Sequence, residues 1–275
     1  MSDSVTPLPE TLPESAVVAR LRAAGCVFAE DEARIILDTA TTADELAAMV
    51  ARRAGGLPLE HVVGWAEFCG LRIAVDPGVF VPRRRTELLV REAVALGRAA
   101  AGEDGREIVV LDLCCGSGAV GAALAAALGR TRVHAADLDP AAVACAARNL
   151  APSGGRVHRG DLFAAVPTGL RGRIDLLAAN VPYVPSSAVG LLPPEARDHE
   201  ALMALDGGHD GLDVMRRVAA SAAGWLAPGG SLLVEAGERQ ARAAAGVLAG
   251  GGLRPRVATD DDLGATVVIG TRPQR

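Results

Sequence analysis

From residue 108 to residue 271 short apolar runs alternate with helical stretches, and this rhythm constrains the fold more than any other feature of the chain. Strands are expected at Ile108–Leu113, Arg132–Ala136, Arg156–His158, Ile174–Ala179, Ser231–Ala236, Arg254–Ala258 and Thr266–Thr271. Helices are expected at about 118–128, 140–150, 211–226 and 238–249. Short apolar strands separated by helices demand a mostly parallel sheet covered on both faces. The last two runs are joined by a short loop, which suits an antiparallel hairpin at the end of the sheet. The expected class is therefore α/β, with a seven-stranded, mostly parallel sheet.

The first 85 residues follow a different pattern. Residues 1–13 carry three prolines and are expected to form a flexible arm. Residues 14–63 are expected to form a small helical domain, with helices at Ser15–Ala24, at Glu30–Ala40 and from Thr42 through Val50, and a helical turn at Pro58–Val63. Thr42 and Glu45 fit a capping box. Residues 64–85 form a hairpin linker in this reading, with its turn at Asp76-Pro77-Gly78 and a second run at Val79-Phe80-Val81. Trp65 and Phe68 are expected to pin that hairpin to the core. A helix at Thr86–Ala100 then opens the sheet domain, residues 86–275.

Composition narrows the function. The formal net charge is -5, which opposes a duplex-coating basic protein. All 28 cationic side chains are Arg, so no lysine can act as nucleophile or Schiff base. No apolar stretch reaches the roughly 18 residues that span a bilayer, and the acidic, prolyl start is unlike a signal peptide. Five cysteines without a paired framework suit a reducing, cytoplasmic compartment. Adjacent Cys114 and Cys115 lack further ligands at chelating spacing, so no metal is expected.

The segment VVLDLCCGSGAVGAALA runs from a strand, through a turn of small residues, into a helix. Such a turn lets backbone approach a ligand closely, and the helix start offers free N–H groups. Nineteen residues beyond Gly118, Asp137 ends the next strand, where a carboxylate can accept bonds from both ribose hydroxyls. The combination points to a nucleoside cofactor. Gly116, Gly118 and Gly121 also satisfy the dinucleotide pattern G-x-G-x-x-G, a weak signal by itself. Asp112, four residues before Gly116, is less expected for NAD.

The strand Ile174–Ala179 runs directly into Asn180-Val181-Pro182-Tyr183. In a doubly wound sheet this places the tetrapeptide at the ligand-binding edge. An Asn side-chain oxygen and the neighbouring Val181 carbonyl can accept both N–H bonds of a planar nitrogen and aim it for attack. Pro182 biases residue 181 to an extended conformation, and the Tyr183 ring can pack one face of a planar group. Glu235 ends a strand at the same edge.

These motifs carry a resemblance. Asp112 to Gly118 resembles the E/D-x-G-x-G-x-G motif of class I S-adenosylmethionine methyltransferases, with Cys114 in place of the first glycine. Asn180 to Tyr183 resembles the N-P-P-Y motif of nitrogen methyltransferases. EHVVGWAEFCGLRIAVDPGVFVPRRRTELLV, GDLFAAV, LDGGHDGLDVMRRV and LLVEAGERQ are similar, in order, to stretches of the protein-(glutamine-N5) methyltransferases of the HemK/PrmC family. The resemblance spans nearly the whole chain. It implies a Rossmann-like fold and S-adenosylmethionine as cofactor. It also implies Asp137 on the ribose, the loop Cys114, Cys115, Gly116, Ser117, Gly118 on the methionine part, and Asp161 and Leu162 beside adenine. Asp112 and Asn180 border the cofactor, and Asn180, Val181, Pro182 and Tyr183 hold a substrate glutamine. That glutamine belongs to a peptide release factor or a ribosomal protein, docked on residues 14–63, with no membrane, no stable DNA binding and only incidental RNA contact.

Two departures stand out. The family has P-R-P-E-T-E where this chain has Pro82-Arg83-Arg84-Arg85-Thr86-Glu87, and Val181 replaces a proline. The three arginines either cap local carboxylates and face solvent, or contact an acidic protein face or RNA. The competing functions are a nucleic-acid amino-methyltransferase acting on adenine N6 or cytosine N4, which uses the same tetrapeptide, and a binding module that has kept the fold. His61, His134, His158, His199 and His209 show no triad spacing, and Cys145 is expected to pack in its helix.

Overall fold

The computed structural model describes residues 12–274; residues 1–11 of the expected arm lie outside them. Four helices come first: α1 (Glu14–Ala23), α2 (Ala29–Thr39), α3 (Ala43–Ala54) and α4 (Leu59–Val63). They close around Val17, Leu21, Ile36, Val50 and Val62. The Thr42 hydroxyl accepts the Glu45 N–H, as a cap should. The reciprocal half of the capping box is displaced by one residue, because Glu45 accepts from the N–H and hydroxyl of Thr41. Arg53 is buried among these helices and donates to both carboxylate oxygens of Glu32, at 2.6 and 3.0 Å.

The hairpin differs from the expectation. Its strands are β1 (Trp65–Phe68) and β2 (Leu71–Ala74), and its turn is Cys69-Gly70. Both turn residues have positive φ, 51° and 73°, and a two-residue loop of that kind matches the right-handed twist of the strands. Asp76 and Val79 do close a turn, but Pro77 has no N–H for a ladder, and Val79–Val81 joins no described strand. Phe68 is fully buried in the main core. Trp65 instead ties the hairpin to the helical layer, its indole N–H donating to Thr39, with the Arg72 guanidinium 4.1 Å from its ring.

The remaining chain builds the expected sheet. Its helices are α5 (Glu87–Ala101), α6 (Ala119–Leu128), α7 (Pro140–Leu150), α8 (Pro194–His199), α9 (Leu202–Leu205), α10 (Asp213–Trp225) and α11 (Ala241–Gly250). Its strands are β3 (Ile108–Leu113), β4 (Thr131–Asp137), β5 (Arg156–Arg159), β6 (Ile174–Ala179), β7 (Leu226–Glu235), β8 (Arg254–Asp260) and β9 (Ala265–Thr271), in the order β5-β4-β3-β6-β7-β9-β8. The first five are parallel, and β9 pairs antiparallel with both β7 and β8. Side chains alternate between the two faces. Val110 packs in the core under α5 and α6, and Leu111 in the core under α10 and α11. Among the described residues no helix is long and apolar enough to cross a membrane.

The β3–β4 and β3–β6 pairings turn the chain in opposite directions from β3, which opens a crevice at the carboxyl ends of these strands. Register sets Leu113 beside Ala136 and Ala179, and Ala179 beside Val234. The segments that follow these strands therefore share one edge.

The β3–α6 junction is held by Asp112, 1% exposed, whose carboxylate accepts the Gly121 N–H at 2.9 Å. Burial, with the Asp137 charge in support, pushes Asp112 up to about 7 against that one bond. Its folded value lies above its unfolded one, so its contribution to stability is complete below about pH 4 and lost as the pH rises through about 7. Asp112→Asn keeps an oxygen for Gly121 and cannot ionise. Between pH 4 and 8 the variant should gain on the wild type by up to about 4 kcal/mol in denaturant unfolding. A stability difference that does not change with pH would show that Asp112 is an ordinary ionised carboxylate.

Candidate active site

The loop after β3 is shaped by left-handed backbone. Cys114, Gly116 and Gly118 have φ of 56°, 53° and 76°. A Cβ on Gly118 would lie 3.0 Å from the Ala146 side chain, so glycine there permits α7 to pack beneath the loop. That is a packing position, and Gly118 stands behind the cavity wall formed by Gly116 and Ser117. Cys114 adopts the same backbone region with a side chain, a conformation costing roughly 1 kcal/mol or more. Burial and the nearby carboxylates push both thiols far up, so Cys114 and Cys115 are protonated at neutral pH.

Asp137 ends β4 and faces this loop. One carboxylate oxygen accepts the Gly116 N–H at 2.9 Å and the other the Asp139 N–H at 3.0 Å. Burial raises its pKa, and these bonds oppose the rise. Each oxygen keeps a lone pair, so the carboxylate can still accept two hydroxyls. Asp161 is paired with Arg217 at 2.6 Å, and Leu162 follows it with φ of 48°.

Asp112, Cys114 to Ser117, Asp137, Asp161, Leu162 and the tetrapeptide Asn180 to Tyr183 all line one cavity of about 340 Å³. The floor discriminates between cofactors. In dinucleotide sites the pyrophosphate uses N–H groups at the helix start. Here Asp112 already occupies the Gly121 N–H, so that donor is not free for a phosphate. A cofactor with a ribose, a cationic centre and no phosphate fits this acidic cradle.

On the other side of the cavity, β6 is buried throughout and leads directly into Asn180. The Asn180 amide NH₂ donates to the Thr86 hydroxyl over a long 3.5 Å. Thr86 donates to Glu235 at 2.6 Å. Glu235, 2% exposed at the end of β7, also accepts the Tyr183 hydroxyl at 2.6 Å and the Arg85 guanidinium at 2.8 Å. Burial and the Glu235 charge push the Tyr183 phenol up, so it stays a donor. Gln240 holds the Tyr183 carbonyl at 3.0 Å. Val181 and Pro182 are buried. Among the described residues no donor reaches Asn180 Oδ1 or the Val181 carbonyl oxygen.

Several positions in or beside the cavity had no partners assigned in the sequence. Thr86 was part of a motif without a role, and Glu235 was a strand end without partners. Leu138, Phe80 and Met203 line the cavity, Met203 from the short helix α9, an element the sequence reading does not contain. The arginine run is resolved residue by residue. Arg83 donates to buried Glu200 at 2.6 Å, Arg85 to Glu235, and Arg84 is exposed. None of the five histidines lines the cavity. His134 and His158 stack on each other, and burial pushes His134 down to about 4. Among the described residues no cluster of three or more His, Cys, Asp or Glu is assembled for a metal.

Comparison with known proteins agrees with this geometry. The family described as "Methyltransferase small domain" matches residues 71–191. A release factor glutamine methyltransferase from Geobacter sulfurreducens is 40% identical over 234 residues, covering 83% of this chain and 79% of that protein. A 4-amino-L-phenylalanine/4-methylamino-L-phenylalanine methyltransferase from Streptomyces pristinaespiralis is 39% identical, covering 70% of this chain and 65% of that protein. Among solved structures, a methyltransferase from Pyrococcus furiosus superposes with a TM-score of 0.55 at 16% identity, covering 82% of this chain and 98% of that one, a likeness of fold. With that sheet order, that crevice and that level of identity over most of its length, this chain belongs to the family of release factor glutamine methyltransferases.

Proposed function

We propose that this enzyme methylates the side-chain amide nitrogen of a glutamine in a peptide release factor. The observation that carries the reading is the pair of unengaged acceptors, Asn180 Oδ1 and the Val181 carbonyl, in one cavity with Asp137. A primary amide nitrogen has two N–H bonds in a plane and is a poor nucleophile. Two fixed acceptors orient it and draw positive charge from its hydrogens as the new bond forms. Neither acceptor suits a hydroxyl or carbon substrate in the same way. Bound across the cavity, S-adenosylmethionine supplies an electrophilic methyl on a cationic sulfur. Asp137 accepts its ribose hydroxyls, the backbone of Cys114 to Ser117 borders its methionine part, and Asp161 and Leu162 border its adenine. Tyr183, held by Glu235, packs the amide from one side and keeps water from it. Val181 serves as well as proline, because the aiming group is its carbonyl.

The helical layer α1–α4 is the second docking surface in this reading, since a folded partner needs more contact than one side chain in a slot. A release factor substrate places the enzyme with the translation machinery in the cytoplasm. The direct test offers labelled S-adenosylmethionine with an intact release factor, ribosomes, DNA and 4-amino-L-phenylalanine in separate reactions. Label on a release factor glutamine is expected. Label on DNA bases or on the free amino acid alone would overturn the proposal.

Two variants separate the halves of the site. Asp137→Ala should weaken S-adenosylmethionine binding by roughly 1.5–3 kcal/mol, the scale of hydrogen bonds to a charged group; unchanged affinity by calorimetry would remove the ribose role. Asn180→Ala should keep the fold and most cofactor affinity while turnover falls about 10²-fold or more. Wild-type turnover in that variant would show that the amide is held elsewhere.

A further inference from the structure

An Asn side chain is nearly symmetric in shape and opposite in chemistry at its two ends. A substrate N–H needs the oxygen of Asn180 facing the cavity, and a turned-over amide would offer it two donors instead. We propose that Glu235 is the positioning residue that sets this polarity, acting on Asn180 through Thr86. This rests on the reading of Asn180 as the acceptor for the substrate amide.

Donors and acceptors are matched along a chain of three side chains, Glu235, Thr86 and Asn180. Glu235 is a carboxylate, and an ionised carboxylate only accepts. Its Oε2 lies 2.6 Å from the Thr86 hydroxyl, so Thr86 must spend its single proton on Glu235. The Thr86 oxygen then has only lone pairs left for Asn180. Asn180 must present its NH₂ to Thr86, and its Oδ1 turns to the cavity. Thr86 is 2% exposed, so no bulk water competes for its proton. The other oxygen of Glu235 is occupied by Tyr183 and Arg85, at 2.6 and 2.8 Å. Arg85 donates to this carboxylate from one side, and Tyr183 is aligned by the same oxygen. One buried charge thus orients both polar side chains of the tetrapeptide. The arrangement is assembled from three distant parts of the chain, the turn before α5, the end of β6 and the end of β7.

Glu235→Gln tests this with almost no change of shape. The new amide can donate to Thr86. The Thr86 proton is then free to bind Asn180 Oδ1, which reverses the relay. The chain contains two asparagines, Asn149 and Asn180. Selective ¹⁵N-asparagine labelling therefore gives two side-chain NH₂ signal pairs, and the pair missing in Asn180→Ala assigns Asn180. In Glu235→Gln the Asn180 pair should move while the Asn149 pair stays. Methyl transfer kcat should fall about tenfold or more, with S-adenosylmethionine affinity retained. If Glu235→Gln does not fold, Thr86→Val and Thr86→Ser carry the same test. Serine should keep the Asn180 signals in place and keep activity, and valine should move the signals and lose activity. An Asn180 signal pair unmoved in Glu235→Gln, or equal activity in the serine and valine variants, would overturn the proposal. The NMR measurement needs no substrate, so it decides the relay even if the wild-type enzyme fails to label a release factor.

Discussion

Parallel pairing of β3 with β4 on one side and β6 on the other is the constraint on which the rest of the structure depends. It leaves the carboxyl ends of β3, β4 and β6 without a covering strand and brings Asp137 and Asn180 to opposite walls of one crevice. The glycine-rich loop closes the floor because its backbone can turn left-handed and lie against α7. Neither wall forms a site alone. One carries a carboxylate with spare lone pairs, and the other carries two acceptors for an N–H donor.

The layers outside the sheet are held to this crevice by polar contacts, each with at least one partner wholly or partly buried. Asn149 on α7 donates to the carbonyls of Ala74 and Ser117, at 2.9 and 2.8 Å, and accepts the Ala74 N–H. The hairpin and the loop after β3 are therefore fastened to one side chain. Arg53 of α3 reaches Glu195 of α8 at 2.7 Å, and Arg83 of the linker reaches Glu200. These pairs join the helical layer, the linker and the segment between β6 and α10. Buried ion pairs add little net stability against desolvation, but breaking one leaves a costly orphan. Burial raises the pKa of Glu200, opposed by Arg83, and among the described residues one Glu200 oxygen already has no partner. The geometry of these contacts selects one docking of the layers.

The strands and most helices of the sheet domain were legible in the sequence because their apolar runs have the right length and period. The hairpin was not. Asp76-Pro77-Gly78 has the composition of a turn, whereas Cys69-Gly70 does not, and its positive φ at a cysteine follows from strand pairing. Residues 185–206 hold short helical pieces rich in proline, too short for periodicity to register. The loop after β3, Asp137 and the tetrapeptide were legible as local motifs, and the structure brings them to one cavity. Gly118 was legible as a glycine but not as a packing position. The partners of Glu235 were hidden, since it lies 150 residues from Arg85 and 52 from Tyr183. A residue whose partners are assigned by the tertiary fold leaves no local pattern.

The central claim is that Asn180 and Val181 jointly grip an amide nitrogen facing the cofactor. The most direct test is a crystal structure of the enzyme with S-adenosylhomocysteine and an intact release factor. The account predicts a glutamine side-chain nitrogen at about 2.7–3.2 Å from both Asn180 Oδ1 and the Val181 carbonyl oxygen, the range of N–H···O bonds. It also predicts the ribose of the cofactor product on Asp137. A release factor bound with its glutamine nitrogen touching neither acceptor would contradict it.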